Sequence, residues 1–219
     1  MAAQLERRRE RLAGGERPLG WKLGFGAAAA QAKLGTEAPL VGFLTSASLL
    51  EDGAEVDIAG WGGPALEPEI AVHMGSDLPG GGDRTDAEAA IAAIGPAFEL
   101  AAIEFAPEDP ERILAHNIFH RRVVVGPTRE GASTEGLRGV IVRDGEPFAD
   151  TEEPEAATGE IVSLVSHVAE VLEAHGERLR AGEVVICGSI VPPIQIAPGQ
   201  QFGYELAPIG ALGLRFAPA

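Results

Sequence analysis

The stretch PALEPEIAV, Pro64 to Val72, sets two glutamates, Glu67 and Glu69, two positions apart among Ala65, Leu66, Ile70, Ala71 and Val72. Its short apolar run reads as a strand that starts near Leu66 and continues from Ile70 to Met74. Alternate side chains of a strand share a face, so both carboxylates leave the same side, with Cα atoms roughly 7 Å apart. The apolar neighbours imply burial, and unpaired buried carboxylates are costly. Two readings follow: a divalent cation held between the glutamates, or an alternating strand whose glutamates face water. For the first, all-oxygen ligation suits Mg²⁺, Mn²⁺ or Ca²⁺ over zinc.

Working outward, Glu99 is the natural third ligand, because it stands alone in the apolar stretch Ile94 through Ile103 with no basic neighbour in sequence. Lysine is scarce: of 17 basic residues only Lys22 and Lys33 are lysine. Lys22 lies in Gly20-Trp21-Lys22-Leu23-Gly24, where desolvation would lower its pKa and let it trade protons or hold a substrate anion. The plainer reading is a lysine that snorkels at a strand edge. His116 and His120, four apart, can share one helix face as metal ligands do, although Arg121 and Arg122 next door disfavour a cation and favour a structural or substrate-contact role. Gly188-Ser189 ends a strand and offers backbone N–H groups and a hydroxyl to a carboxylate. Ser189 lacks a G-x-S-x-G elbow, so a serine hydrolase has little support. His73, His167 and His175 show no partner pattern.

The rest of the chain reads as β-rich. Residues 2 to 13 suit a short helix with Leu5 and Leu12 on one face, a docking flap rather than core. An extended stretch follows from Pro18 to Phe25, then a small-residue helix from Ala27 to Lys33 closed by Gly35. Thr85 to Ile94 suits a helix capped by Thr85, with Glu88 three residues on and Pro96 closing it. Val123 to Val125 and Gly139 to Val142 look like strands, and Asp144-Gly145 suits a hairpin turn. A helix from about Gly159 to His175 precedes strands at Glu183 to Cys187, Gln201 to Leu206 and Leu212 to Phe216. Strands that do not alternate with helices argue against a doubly wound parallel sheet. The fold class is therefore a mixed, β-rich α+β, with residues 1–18 as an N-terminal helical segment and 19–219 as one catalytic domain.

Composition narrows the partners. The 219 residues are 45% hydrophobic and 23% charged, an ordinary globular balance. A net charge of −16 repels phosphate backbones and anionic headgroups, which speaks against nucleic acid and membrane surfaces. An anionic substrate then needs a local positive centre, which a bound cation supplies. Cys187 is the lone cysteine, so no intrachain disulfide can form. The charged start is unlike a signal peptide, and no apolar run approaches the roughly 20 residues of a membrane span. Cytoplasm is the expected compartment.

With those residues in place, the sequence resembles the fumarylacetoacetate hydrolase superfamily, in its branch of 2-keto-4-pentenoate hydratases and 4-oxalocrotonate decarboxylases. Gly20-Trp21-Lys22-Leu23-Gly24 looks like that branch's G-x-K-[IL]-G, Leu66 to Ala71 like its E-x-E-I-A, and Pro96-Ala97-Phe98-Glu99 like its P-A-x-E. The helix before Leu179-Arg180-Ala181-Gly182-Glu183 and the strand ending at Gly188-Ser189 follow in the same order, from Gly20 to Phe216. The resemblance implies a β-roll or incomplete barrel with flanking helices, Mg²⁺ or Mn²⁺ on Glu67, Glu69 and Glu99, and Lys22 as the proton-handling residue. It implies a 2-oxo or 2-hydroxy-dienoic acid substrate, contacts at Leu23, His116, Asn117, Phe119 and Ser189, and a homo-oligomer, dimer or larger. The reaction implied is hydration in the breakdown of an aromatic-derived metabolite, with decarboxylation of an oxo diacid or acylpyruvate cleavage as runners-up. The sequence departs from the branch where His116-Asn117-Ile118-Phe119 replaces Asp-Asn-Ala-Ser, Cys187-Gly188 replaces Thr-Gly, and Gly199-Gln200 replaces Gly-Asp. Phe119 opens a further reading, a non-catalytic relative whose pocket that ring has closed.

Overall fold

The computed structural model describes residues Met1–Ala219. Helix α1 (Ala2–Ala13) buries Gln4, Leu5 and Arg8, and Leu5 joins the main core. It is thus docked on the body rather than forming a loose flap. β1 (Pro18–Gly24) and β2 (Leu40–Thr45) flank α2 (Ala28–Leu34), which Gly35 closes in the left-handed conformation that glycine adopts without steric cost. The two-residue strands β3 (Leu49–Leu50) and β4 (Glu55–Val56) lead to β5 (Pro64–Met74).

The next segment departs from the sequence-based expectation. Helix α3 covers only Arg84–Ala90, and Ile91–Ala102 forms strand β6 with Pro96 inside it. The cap is Asp83, not Thr85: its carboxylate accepts from the N–H groups of Thr85 and Asp86, and Asp86 answers the Asp83 N–H. The local alanine-rich sequence favours helix, but β6 pairs with β5 from Pro64–Ala102 to Met74–Ile91, and that tertiary ladder overrides a propensity worth under about 1 kcal/mol per residue.

Helix α4 (Pro110–Ala115) and a 3₁₀ turn at Asn117–Phe119 precede β7 (His120–Val125) and β8 (Arg129–Glu130). β9 (Arg138–Arg143) and β10 (Glu146–Thr151) form the hairpin on Asp144-Gly145, both residues at positive φ as a primed turn requires. Helix α5 (Ile161–Glu173) turns Ile161, Leu164, Val165, Val168 and Leu172 inward. The chain closes with β11 (Val184–Ser189), β12 (Ile194–Gln195), β13 (Gln201–Ala207) and β14 (Gly210–Phe216).

These strands make two sheets. The larger, mixed sheet runs β2-β1-β11-β5-β6-β7-β3, with β12 on β5 and β8 on β6, and curls into a half-barrel. The smaller runs β10-β9-β13-β14-β4. A core of 41 buried residues, from Leu5 to Phe216, draws on both sheets and α5. No helix is long and apolar enough to cross a membrane.

Candidate metal centre and its cavity

The register of β5 against β6 gathers the three carboxylates. Glu67 stands directly opposite Glu99, and Glu69 lies two residues along, opposite Ala97. Opposed residues of antiparallel strands have Cα atoms only about 4.5–5.5 Å apart, and like charges there destabilise the sheet. One carboxylate oxygen from each of Glu67, Glu69 and Glu99 lies within 4.8 Å of the others. Glu69 and Glu99 are wholly buried. Glu67 is half-buried and lines a cavity.

Glu99 has basic company, contrary to its sequence neighbourhood. The curl of the sheet brings Lys22 of β1 to β6, three strands away in the sheet order, with Nζ 2.5 Å from Glu99 Oε1 and 3.2 Å from the Ile118 carbonyl. His120 Nδ1 sits 2.7 Å from the same glutamate oxygen. These partners lie 77 and 21 residues away in sequence, beyond any local reading. Glu69 Oε2 accepts the Gly188 N–H at 2.6 Å, which an irregularity of β11 between Ile186 and Ser189 directs toward it. Gly188 has φ +94°, where a side chain would be strained.

The electrostatics are unbalanced. Burial and the neighbouring Glu99 push the Glu67 carboxyl up to about 7. Burial, then Glu99 and Glu67, push Glu69 well above the carboxylate range. Burial pushes Glu99 the same way, but Lys22 and His120 outweigh it and hold Glu99 low. For Lys22, burial favours the neutral amine, yet Glu99, Glu67 and Glu69 together raise its pKa, the reverse of the lowering inferred from sequence. Burial lowers the pKa of His120, so its ring is neutral and adds no charge at neutral pH. Ionised together, as a bound cation requires, the three carboxylates would face one ammonium, a shortfall of two positive charges.

Two buried oxygens, Glu69 Oε1 and Glu99 Oε2, have no hydrogen-bond partner. Orphaned acceptors of this kind are rare and costly in a folded interior. A divalent cation fits: it supplies the two missing charges, and three carboxylate oxygens are the donor set that Mg²⁺ and Mn²⁺ prefer.

A cavity of about 500 Å³ opens from Lys22 and Glu67. Leu23, Phe119 and Ser189, named as substrate contacts from the family resemblance, line it. His116 and Asn117 do not. His116 is exposed, with Nδ1 2.9 Å from the Arg112 carbonyl. Asn117 Oδ1 accepts from Phe43 N–H and Gln4 Nε2, and its Nδ2 donates to Phe43 O, so the side chain ties the loop to β2 and α1. Nor do His116 and His120 share a helix face. Helix α4 ends at Ala115, and Asn117, Ile118 and Phe119 all have positive φ, which rotates His120 onto β7. Left-handed backbone costs roughly 1–2 kcal/mol per non-glycine residue, so the Asn117 clamp and the Lys22 bond to Ile118 hold a strained turn beside the carboxylates. Phe119 packs on Phe105, ring centroids 4.8 Å apart, and forms wall rather than plug, because the cavity persists beside it.

The sequence reading offered the Gly188-Ser189 backbone to a carboxylate, and the carboxylate that the Gly188 N–H meets is that of Glu69. The contact of His120 with Glu99 was not foreseen: the His116–His120 spacing drew attention to the right residue with the wrong partner.

Comparison with known proteins adds an independent line. No protein-family model matches the chain. The 2-hydroxyhexa-2,4-dienoate hydratase of Comamonas testosteroni is 31% identical over 216 residues, covering 95% of this chain and 81% of its own. The 4-oxalocrotonate decarboxylase of Pseudomonas putida G7, solved with magnesium and adipate, matches with TM-score 0.89 and 29% identity over 97% of this chain and 83% of that one. The fumarylpyruvate hydrolase of Pseudomonas aeruginosa, solved with Mn²⁺ and pyruvate, shares the fold at TM-score 0.71 and 14% identity, over 93% and 91% of the two chains.

Proposed function

The chain belongs to the hydratase and decarboxylase branch of the fumarylacetoacetate hydrolase superfamily, a metal-dependent enzyme of 2-oxo and 2-hydroxy-dienoic acids, and from that premise we propose that it hydrates a 2-hydroxy-dienoate with an apolar far end. The observation that carries this choice is the cavity wall. Phe25, Ile103, Ile118, Phe119, Val191 and Pro192 dominate it, and the only charged residues are Lys22 and Glu67 at the carboxylate end. A monocarboxylate can place its one anionic group there and its hydrocarbon tail against the apolar wall. The second carboxylate of an oxo diacid would be desolvated with no cation to receive it, at considerable cost. Decarboxylation of such a diacid is therefore the second reading, and acylpyruvate cleavage the third.

Glu67, Glu69 and Glu99 are the residues that would hold Mg²⁺ or Mn²⁺. When bound, such an ion serves as a Lewis acid toward the substrate's 2-oxygen and carboxylate. The protein's own groups do the rest. Lys22 spends two of its three N–H donors on Glu99 and Ile118, which fixes Nζ at the cavity floor and leaves one donor for a substrate oxygen or for a proton transfer. Ser189 and the Gly188 turn border the same floor, and the Ser189 hydroxyl can turn its one hydrogen from a long 3.4 Å contact with the Pro68 carbonyl to the substrate carboxylate. The apolar wall excludes bulk water, which strengthens each of these interactions.

The test is direct. Mn²⁺-loaded protein is given 2-hydroxypenta-2,4-dienoate, 2-hydroxyhexa-2,4-dienoate and 4-oxalocrotonate, with loss of diene absorbance and release of CO₂ followed separately. Hydration of both dienoates with little CO₂ release supports the reading, and CO₂ release as the dominant reaction replaces it with the decarboxylase. The homo-oligomer rests on the family resemblance alone and is checked by light scattering of the purified chain.

A further inference from the structure

On the far side of the Asn117–Phe119 turn lies a second, smaller cavity of about 130 Å³ whose chemistry is the inverse of the first. Arg7 and Arg11 of α1, Arg121 and Arg122 of β7, His116 and His120 surround it, with Glu104 its one carboxylate. In a protein of net charge −16, four guanidinium groups around so small a space are a local reversal of field. Their own contacts leave charge over. Arg121 pairs with Glu104 at 2.5 Å, and Arg11 lies a long 3.8 Å from Glu16. Arg7 donates only to the Ala115 carbonyl and Arg122 only to that of Arg121, so neither meets a carboxylate.

The back of this cavity is polar and deeply placed. The His120 side chain is 4% exposed, and its Nε2 is buried with no partner. Because Nδ1 faces Glu99 Oε1, it carries the hydrogen of that bond, and in the neutral ring Nε2 is left as an acceptor. An occupant that satisfies both features presents anionic oxygens to Arg7 and Arg122 and a hydroxyl hydrogen to His120.

We propose that this cavity is a second binding site, separate from the carboxylate centre, for a small hydroxyl-bearing oxyanion of the hydrogen phosphate class. Arginine suits the task, since its planar fork matches phosphate oxygens in pairs and its charge is permanent. An anion there also relieves the mutual repulsion of four guanidinium groups. Phe119 contributes to both cavities and stands between them. The proposal does not depend on the identity of the reaction.

Inorganic phosphate is the probe, titrated by calorimetry into Mg²⁺-loaded protein near neutral pH, with sulfate, which lacks a hydroxyl, as the comparison. The expected result is one phosphate per chain, bound several-fold more tightly than sulfate. In Arg122→Gln, whose side chain lies outside the catalytic cavity, phosphate should bind about tenfold more weakly, as loss of one charge-assisted contact requires, and dienoate turnover without phosphate should match wild type. Arg7→Gln is the second variant, and thermal melting checks that both are folded. Absence of stoichiometric binding overturns the site. Phosphate binding that is unchanged in both variants places the ion on the metal centre and overturns it equally, while sulfate binding as tight as phosphate overturns the hydroxyl-bearing ligand class.

Discussion

Two buried polar clusters lie on opposite sides of β1, and they solve the same problem in opposite ways. Lys22 leads into one and the preceding Trp21 into the other, because neighbours on a strand point to opposite faces. Behind Trp21, Glu183 accepts from Trp21 Nε1 at 3.0 Å and from Arg180 N–H at 2.9 Å, and lies 3.4 Å from Arg8. Arg8 in turn lies 4.5 Å over the Trp21 ring and 3.5 Å from Glu177, which also pairs with Arg9 at 2.8 Å. There each carboxylate has a cation and most donors have an acceptor. Around Lys22, three carboxylates share one cation and two buried oxygens have nothing. The first cluster fastens α1 to the sheet and balances its own charges, two arginines against two glutamates, with only Arg8 Nε unpartnered. The second, once ionised, lacks two positive charges that a dication would supply, which is how the proposed binding site differs from a staple built of the same residue types.

The sharpest way to break this contrast is to neutralise one glutamate in each cluster. Glu69→Gln keeps the shape, removes a proposed ligand, and should lower turnover on the order of 10³-fold, the loss of several kcal/mol of Lewis-acid stabilisation. The same change should raise the melting temperature of metal-free protein, because a carboxylate held against its preferred charge state is gone. A fall in metal-free stability, or unaltered Mn²⁺ binding by calorimetry, would show that the trio is not a site under electrostatic stress.

Glu183→Ala is the counterpart and should behave oppositely. It strands Trp21 Nε1 and the Arg180 N–H and leaves Arg8 with Glu177 alone, and breaking a buried pair of this kind costs about 3–5 kcal/mol. Urea denaturation reads that loss, and Mn²⁺ affinity should stay close to wild type in the fraction that folds.

Asn117→Ala falls between the two. It removes three hydrogen bonds that pin the left-handed turn to Phe43 and Gln4, for about 1–3 kcal/mol of stability. The turn also carries the Ile118 carbonyl that positions Lys22, so turnover should fall in protein that remains fully folded at the assay temperature. Loss of stability with unchanged turnover would reduce Asn117 to a purely structural tie.

How much of this was legible in sequence follows from the range of the forces. Glu67 and Glu69 announced themselves because period-two placement and apolar neighbours are local facts. The α5 stripe and the Asp144-Gly145 turn were legible for the same reason. Lys22 was conspicuous through the scarcity of lysine, yet its pKa direction came out reversed, because the glutamates that govern it lie on strands distant in sequence. The helix assigned to Thr85–Ile94 holds to Ala90 and ran too long only from Ile91, where β5 supplied a partner that local propensity could not foresee. His116 and Asn117 sit in a turn whose backbone sign sequence does not encode for non-glycine residues, so their side chains left the cavity where the family pattern placed them.

The contrast also has a pH signature, the smallest of the expected effects. An ordinary Glu carboxyl titrates near 4.5, and Glu67 in the metal-free fold is raised to about 7. The folded protein therefore binds this proton more tightly than the unfolded chain. The resulting stability is fully present below 4.5 and is lost as pH rises through 7. The gain in melting temperature of metal-free protein from pH 8 to pH 5 should accordingly be larger in wild type than in Glu67→Gln, and the difference isolates this group. Cation binding needs the ionised carboxylate, so below pH 7 each ion must displace at least one proton and Mn²⁺ affinity should fall at least about tenfold per pH unit. Glu69, raised in the same direction, steepens that slope. Calorimetry at pH 6 in buffers of different ionisation enthalpy counts the protons released, and one or more per ion is the expected figure. A count of zero would mean that the carboxylates are already ionised before the metal arrives, and the imbalance that separates the Lys22 cluster from the Arg8 cluster would then have some other resolution.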